Sequence, residues 1–184
     1  IIKVNRKILK LSDGGIYIAL GANLSNPKAN FIEALNVLHD RAVVVRAISS
    51  LWHSPAWPAG KGSPDYINAV AEVSTKLSSE MLLECLHEVE AIFGRTRKVI
   101  NAPRPMDLDV IDYRGEVKSG TINLPHPRLM GRPFVLLPLL EVAPSWTHPV
   151  TKLSAANGLA QLDSKDVLAH YVIERNWLKS LACV

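Results

Sequence analysis

The chain alternates between stretches of period two and stretches of period 3.6, and the switches between them mark its elements. "GIYIALGANL" (15–24) opens as a short apolar strand ending at Gly21. "SNPKANFIEALNVLHD" then places Phe31, Ala34, Leu35 and Leu38 on one helical face, with Asn26 as a cap and Pro27 in the first turn. "AVVVRAISSLW" (42–52) is β-branched and predicts a strand, and the proline- and glycine-rich stretch 53–65 predicts a loop. In "YINAVAEVS" (66–74), Tyr66, Asn68, Val70 and Glu72 face one way, and Ile67, Ala69, Ala71 and Val73 the other.

The clearest helix is "SSEMLLECLHEVEAIFG", capped by Ser78 and stopped at Gly94, with Leu82, Cys85, Leu86, Val89 and Phe93 as its buried stripe. A strand follows from about Met106 to Tyr113, with Met106, Leu108 and Val110 on its core face. A hairpin through Arg114-Gly115 leads to "EVKSGTINL", and "FVLLPLLEVAP" reads as a buried helix. The succession strand, helix, strand, strand, helix, strand predicts an α+β fold, a ferredoxin-like sandwich. It would have a four-stranded antiparallel sheet with helices on one face, plus C-terminal additions. Residues 1–13 read as an extension and 14–184 as a single domain.

Composition narrows the class only slightly. A chain of 184 residues with 48% hydrophobic and 21% charged residues suits a globular domain with a core of its own. No stretch is long and apolar enough to span a bilayer, and the N-terminal stretch lacks the uninterrupted apolar run of a signal peptide. Two cysteines, Cys85 in an apolar helical pattern and Cys183, point to a reducing, cytoplasmic setting. A net charge of +4 suits an anionic small molecule as well as a nucleic acid.

The candidate chemistry lies in "APRPMDLDVIDY" (102–113). Asp107 and Asp109 are two apart on a strand, so they share a face with Cα atoms roughly 6.6 Å apart. Two carboxylates so placed repel unless a cation stands between them, and Mg²⁺ with a polyphosphate fills that role. Taken alone, the pair fits a solvated strand face better. The arginines shift the balance: Arg95, Arg97 and Lys98 follow the long helix, Arg104 precedes the acidic strand, and Arg128 and Arg132 lie near His126. Guanidinium groups bind phosphate bidentately, although Arg128 reads best as surface charge.

Familiar nucleotide motifs are missing: "AGKGS" (59–63) lacks the spacing and the Ser/Thr of a phosphate loop, and no G-x-G-x-x-G precedes a helix. A second constellation joins Tyr66 and Asn68 on one strand face, an aromatic plate beside an amide, with Trp57 and Phe134 as further aromatic surface. Such a set suits a flat heterocycle or, equally, a core with one solvated amide. An RNA-binding sheet is the competing reading, and carboxylates on the sheet face argue against it.

Several pieces in this order resemble one family. "ALGANL", "DYINAV", "GRTRK", "PRPMDLDVI", "LPHPRL" and "RPFVLLPL" are similar to the 6-hydroxymethyl-7,8-dihydropterin pyrophosphokinases of folate biosynthesis, over about residues 16–144. The resemblance implies transfer of a diphosphate from ATP to the pterin hydroxymethyl group, yielding AMP, in a cytoplasmic monomer that needs neither nucleic acid nor membrane. It implies that Asp107 and Asp109 hold two Mg²⁺ ions and that Arg95 and Arg104 act catalytically with them. Arg97, Glu90, Val110, His126 and Arg132 fall at nucleotide-contacting positions, with His87 a weaker match. Ser54, Trp57, Tyr66, Asn68 and Phe134 fall at pterin-contacting ones. The chain departs from the family at "NAPR" (101–104), where a tryptophan and a glycine usually precede the Pro-Arg.

Overall fold

The structure, a computed structural model, describes residues 14–56, 62–94 and 104–178. Trp57, Arg95, Arg97, Lys98 and Cys183 lie outside the described residues.

Strand β1 (Ile16–Ala22) leads into helix α1 (Pro27–Asp40). The Asn26 side chain accepts from the Ala29 amide at 3.2 Å, and Phe31, Ala34, Leu35 and Leu38 are the helix's buried residues, as the 3.6-residue spacing predicts. Helix α2 (Ser79–Ile92) begins likewise at the Ser78 cap, which accepts from the Met81 amide, and is followed by Gly94 at φ +75°. The remaining strands are β2 (Val44–Ile48), β3 (Leu51–Ser54), β4 (Tyr66–Ser74), β5 (Asp107–Tyr113) and β6 (Tyr171–Glu174). The described residues also form a 3₁₀ turn (Leu129–Gly131) and the α-helices α3 (Pro133–Val142), α4 (Ala155–Ala160) and α5 (Ser164–Leu168).

The sheet is antiparallel and six-stranded, in the order β5-β1-β4-β3-β6, with β2 also paired to β4. This corrects the expected four strands. The segment expected as one strand over 42–52 is broken at Ser49-Ser50, so that β2 pairs with one half of β4 and β3 with the other. Hydrogen bonds hold the break open. The Ser49 hydroxyl accepts from the Val70 amide at 3.0 Å, and the Glu141 carboxylate of α3 accepts from the Ser50 amide at 2.7 Å and the Trp52 indole at 3.0 Å. The sixth strand, β6, comes from the C-terminal tail and extends the β3 edge.

Helices cover both faces of the sheet, not one. On the first face Ile18, Leu20, Ala69, Ala71, Leu108 and Val110 pack against Phe31, Leu35 and Leu38 of α1 and Leu82, Leu86 and Val89 of α2. On the second, Tyr17, Val70 and Ile111 pack against Leu136 and Leu139 of α3, with Trp146 and Ala155. A helix that is apolar all round, as "FVLLPLL" is, can lie on either face, so its own pattern carries no direction.

The reversal after β5 falls at Arg114 and Gly115, both at positive φ, and the Glu116 amide donates to the Tyr113 carbonyl at 2.9 Å. The stretch beyond it makes a single bridge, Lys118 with Leu124, in place of the expected strand "EVKSGTINL". Just before the reversal β5 carries a bulge: Tyr17 pairs with Asp112 and Ile18 with Val110, which leaves Ile111 without a partner on β1. The buried Asp112 accepts from the Trp146 indole at 2.7 Å and the Gly115 amide at 2.9 Å, and burial raises its carboxyl pKa.

Candidate active site

The second sheet face is apolar under α3 and polar beyond it. The change occurs along β1 and β5, where Ala19 pairs with Asp109 and Gly21 with Asp107. Gly21 also pairs with Asn68 on β4. A Cβ on Gly21 would stand 3.4 Å from the Asn68 Oδ1 and 3.7 Å from the Asp107 Cβ. The bare glycine therefore leaves a trough with a carboxylate on one bank and an amide on the other.

Two arginines and a histidine come to these carboxylates. Arg104 Nη2 lies 3.0 Å from Asp107 Oδ2, and the Arg104 guanidinium carbon is 5.9 Å from the centroid of the Tyr66 ring. Its Nε is buried with no acceptor among the described residues, a donor still to be used. Arg132 Nη1 is 3.6 Å and His126 Nε2 3.8 Å from Asp109 Oδ2. The loop after β5 delivers the histidine, since the His126 amide donates to the Ile111 carbonyl at 2.8 Å. Its Nδ1 accepts from the Arg128 amide at 3.1 Å. Burial first, and then the Arg132 charge, lower the His126 pKa, which favours the neutral ring at pH 7, and Arg132 Nη1 lies 3.4 Å from its Nε2. Burial and the neighbouring Arg128 likewise act against the charge on Arg132. An anion placed here would relieve both.

On the other bank, the Asn68 Nδ2 donates to the Ser54 hydroxyl at 2.8 Å. Both residues are buried, so the amide is fixed with its donor turned to Ser54 and its oxygen on the Gly21 side. Tyr66 pairs with Ser54 across the β3–β4 ladder. Phe134, at the start of α3, lies beside the Arg132 guanidinium, 5.5 Å from its ring centroid, and no direct ring contact joins it to Tyr66.

Two expected nucleotide contacts are interior. Val110 is core, so it has only backbone to offer a ligand. Glu90 is 1% exposed and accepts from the Leu108 amide at 2.7 Å, which ties α2 to the strand position between the two aspartates. His87 is half-buried on the same helix.

Sequence reasoning missed Asn23 and Asn30. The Asn23 Oδ1 accepts from the Arg104 amide at 2.8 Å, its Nδ2 donates to the Pro64 carbonyl at 3.0 Å, and its own amide donates to the Arg104 carbonyl at 3.1 Å. Asn30 Nδ2 donates to the Pro105 carbonyl at 3.0 Å. Together they fix the backbone that carries Arg104 into the site. The one signal for Asn23 was an amide placed just past a strand end, where side chains commonly bond to backbone.

The family model described as "7,8-dihydro-6-hydroxymethylpterin-pyrophosphokinase (HPPK)" matches residues 17–144. The "Folic acid synthesis protein fol1" of Pneumocystis carinii is 34% identical over 85% of this chain, which spans about a fifth (21%) of that protein's length. The "2-amino-4-hydroxy-6-hydroxymethyldihydropteridine pyrophosphokinase" of Synechocystis is 35% identical, covering 81% of this chain and 76% of its own. A solved structure described as an HPPK-DHPS in complex with substrates shares the fold, with a TM-score of 0.59 at 10% identity over 80% of this chain and 43% of its own. By the matched family model and by the 35% identity to the Synechocystis enzyme, the chain belongs to the 7,8-dihydro-6-hydroxymethylpterin-pyrophosphokinase family.

Proposed function

We propose that the chain transfers a diphosphate from ATP to the hydroxymethyl group of 6-hydroxymethyl-7,8-dihydropterin, giving AMP and the pterin diphosphate. The observation that carries this reading is the acidic pair Asp107 and Asp109 lining one face of β5. Arg104, Arg132 and His126 lie against it, and the bare Gly21 and the oriented Asn68 stand across the trough.

The donor set suits Mg²⁺. Among the described residues no group of three or more His, Cys, Asp or Glu converges, and β5 offers the two carboxylates Asp107 and Asp109. That is the complement a Mg²⁺ site uses when substrate phosphates and waters complete it. Bound there, Mg²⁺ supplies charge neutralisation between carboxylates and triphosphate. The chain's own residues do the positioning on which phosphoryl transfer depends. Arg104, with its unspent Nε, and Arg132 take phosphate oxygens, and the His126 imidazole adds a polar edge beside Arg132. Asn68 reads the pterin edge with Ser54 behind it, and Tyr66 and Phe134 supply its apolar faces. Arg95 and Arg97 add phosphate contacts and Trp57 a further wall. We read the scaffold as a ferredoxin-like sandwich, supported by the β5-β1-β4 order with β2 and β3 beyond, enlarged by β6 and α3–α5.

The test is ATP consumption at varied pterin and Mg²⁺ concentrations. The expected result is turnover that requires both and stops with EDTA. ATP hydrolysis that is indifferent to pterin would contradict the proposal.

A further expectation concerns Asn23. Asn23→Ala strands the Arg104 amide and the Pro64 carbonyl and lets Arg104 drift, so kcat/KM falls by about ten- to a hundredfold. Asn23→Asp keeps the acceptor for Arg104 and loses less. Equal kinetics for wild type and Asn23→Ala would remove Asn23 from the positioning machinery.

A further inference from the structure

The C-terminal segment 164–178 lies beyond the stretch matched to the family, and the fold brings it to the aromatic side of the site. Strand β6 pairs with β3, the strand that carries Ser54, with Tyr171 opposite His53 and their rings stacked at 4.3 Å. Trp177 is buried against Phe31 and donates to the Ser49 carbonyl at 2.9 Å, and Lys28 bonds Glu174 at 2.7 Å. These contacts fix the segment's register on the sheet.

Just ahead of β6 stands His170, 9% exposed. Its Nδ1 donates to the Asp166 carbonyl at 2.7 Å and its amide to the Val167 carbonyl at 3.2 Å. Its ring runs nearly parallel to Phe134, at 16° with centroids 6.5 Å apart. Phe134 therefore has an imidazole plane beside it as well as the Arg132 guanidinium. An aromatic ring at the first turn of a helix has few neighbours from its own element to fix its tilt. A buried plane parallel to it, held by its own hydrogen bond to the Asp166 carbonyl on a backbone that is itself bonded to Val167, supplies that restraint.

We propose that His170 is a positioning residue for the heterocyclic substrate: it sets the plane of Phe134, and the C-terminal segment thus completes one wall of the pterin site. This rests on the proposed function above. It concerns the aromatic face alone, so the phosphate side is untouched by it.

Two substitutions separate the ring from the hydrogen bond. His170→Asn keeps a donor for the Asp166 carbonyl and removes the ring. His170→Phe keeps the ring and removes the donor. Steady-state kinetics with each substrate varied, and thermal melts, are measured on the full chain beside wild type. The expected result is a pterin KM raised about three- to tenfold in His170→Asn, the scale of a lost aromatic pairing, with the ATP KM unchanged. His170→Phe returns the pterin KM to within twofold of wild type even where its Tm is the lower of the two.

A purely structural role reverses that order, with His170→Phe the more damaged and both KM values moving together; that outcome overturns the proposal. So does a pterin KM in His170→Asn within twofold of wild type. Wild-type protein that neither binds nor uses the pterin would instead overturn the proposed function, and this inference with it.

Discussion

Asp107→Ala and Asp109→Ala each lower kcat by about two to three orders of magnitude or more, while Tm stays within about 3 °C of wild type. The activity loss follows because each carboxylate is half of the anionic face that the proposed chemistry needs. The small effect on stability follows from exposure. Asp107 and Asp109 side chains are 20% and 38% exposed and those of Arg104 and Arg132 25% and 18%, so neither ion pair is cut off from solvent. Such pairs contribute about 0–1 kcal/mol, and removing one of two neighbouring like charges offsets part of even that. Kinetics and a melt on the same samples check both halves. Variants within tenfold of wild-type kcat would contradict the role assigned to the pair.

Glu90→Ala gives the opposite balance. Its carboxyl is buried and accepts from the Leu108 amide, so the alanine leaves a buried donor unsatisfied beside a new cavity. The expected cost is about 2–4 kcal/mol, or a Tm lower by about 5–15 °C. Activity falls too, by about tenfold or more, because Leu108 lies between the two aspartates and any shift of that peptide moves both. Glu90→Gln retains an acceptor oxygen and loses less than half as much stability. A Glu90→Ala protein that melts with wild type would show that the hydrogen bond to β5 is dispensable. This residue reads as a ligand contact by resemblance, whereas its place in the structure is behind the strand that presents the site.

What could be read along the chain was what repeats. The alternation in "YINAVAEVS" and "MDLDV" separates Asn68 from Ala69 and Ala71, and Asp107 and Asp109 from Leu108 and Val110, as the structure does, while only the pairing with β1 brings the two polar sets to one sheet face. The caps at Asn26 and Ser78 were legible because a capping side chain acts within three residues of itself. What could not be read depends on partners distant in sequence. Ser49 and Ser50 break a strand through contacts with Val70 and with Glu141 on α3, and nothing in "RAISSLW" reveals them. The extra residue at Ile111 shows only when β5 is laid against β1. The "FVLLPLL" stretch of α3 is apolar on all sides, and β6 is four residues long, so neither pattern says where it docks.

The same division runs through the site. Residue types with an obvious chemistry, such as paired aspartates and clustered arginines, stood out in sequence. The amides that aim them did not: Asn23 and Asn30 matter because of the carbonyls and amides they meet 75 to 81 positions away.

The most direct test of the central claim is the ³¹P NMR spectrum of the products formed from ATP, Mg²⁺ and 6-hydroxymethyl-7,8-dihydropterin. The account predicts AMP together with a new diphosphate ester whose terminal and ester phosphorus signals are coupled to each other. ADP together with a pterin monophosphate, or ADP with free phosphate, would contradict it.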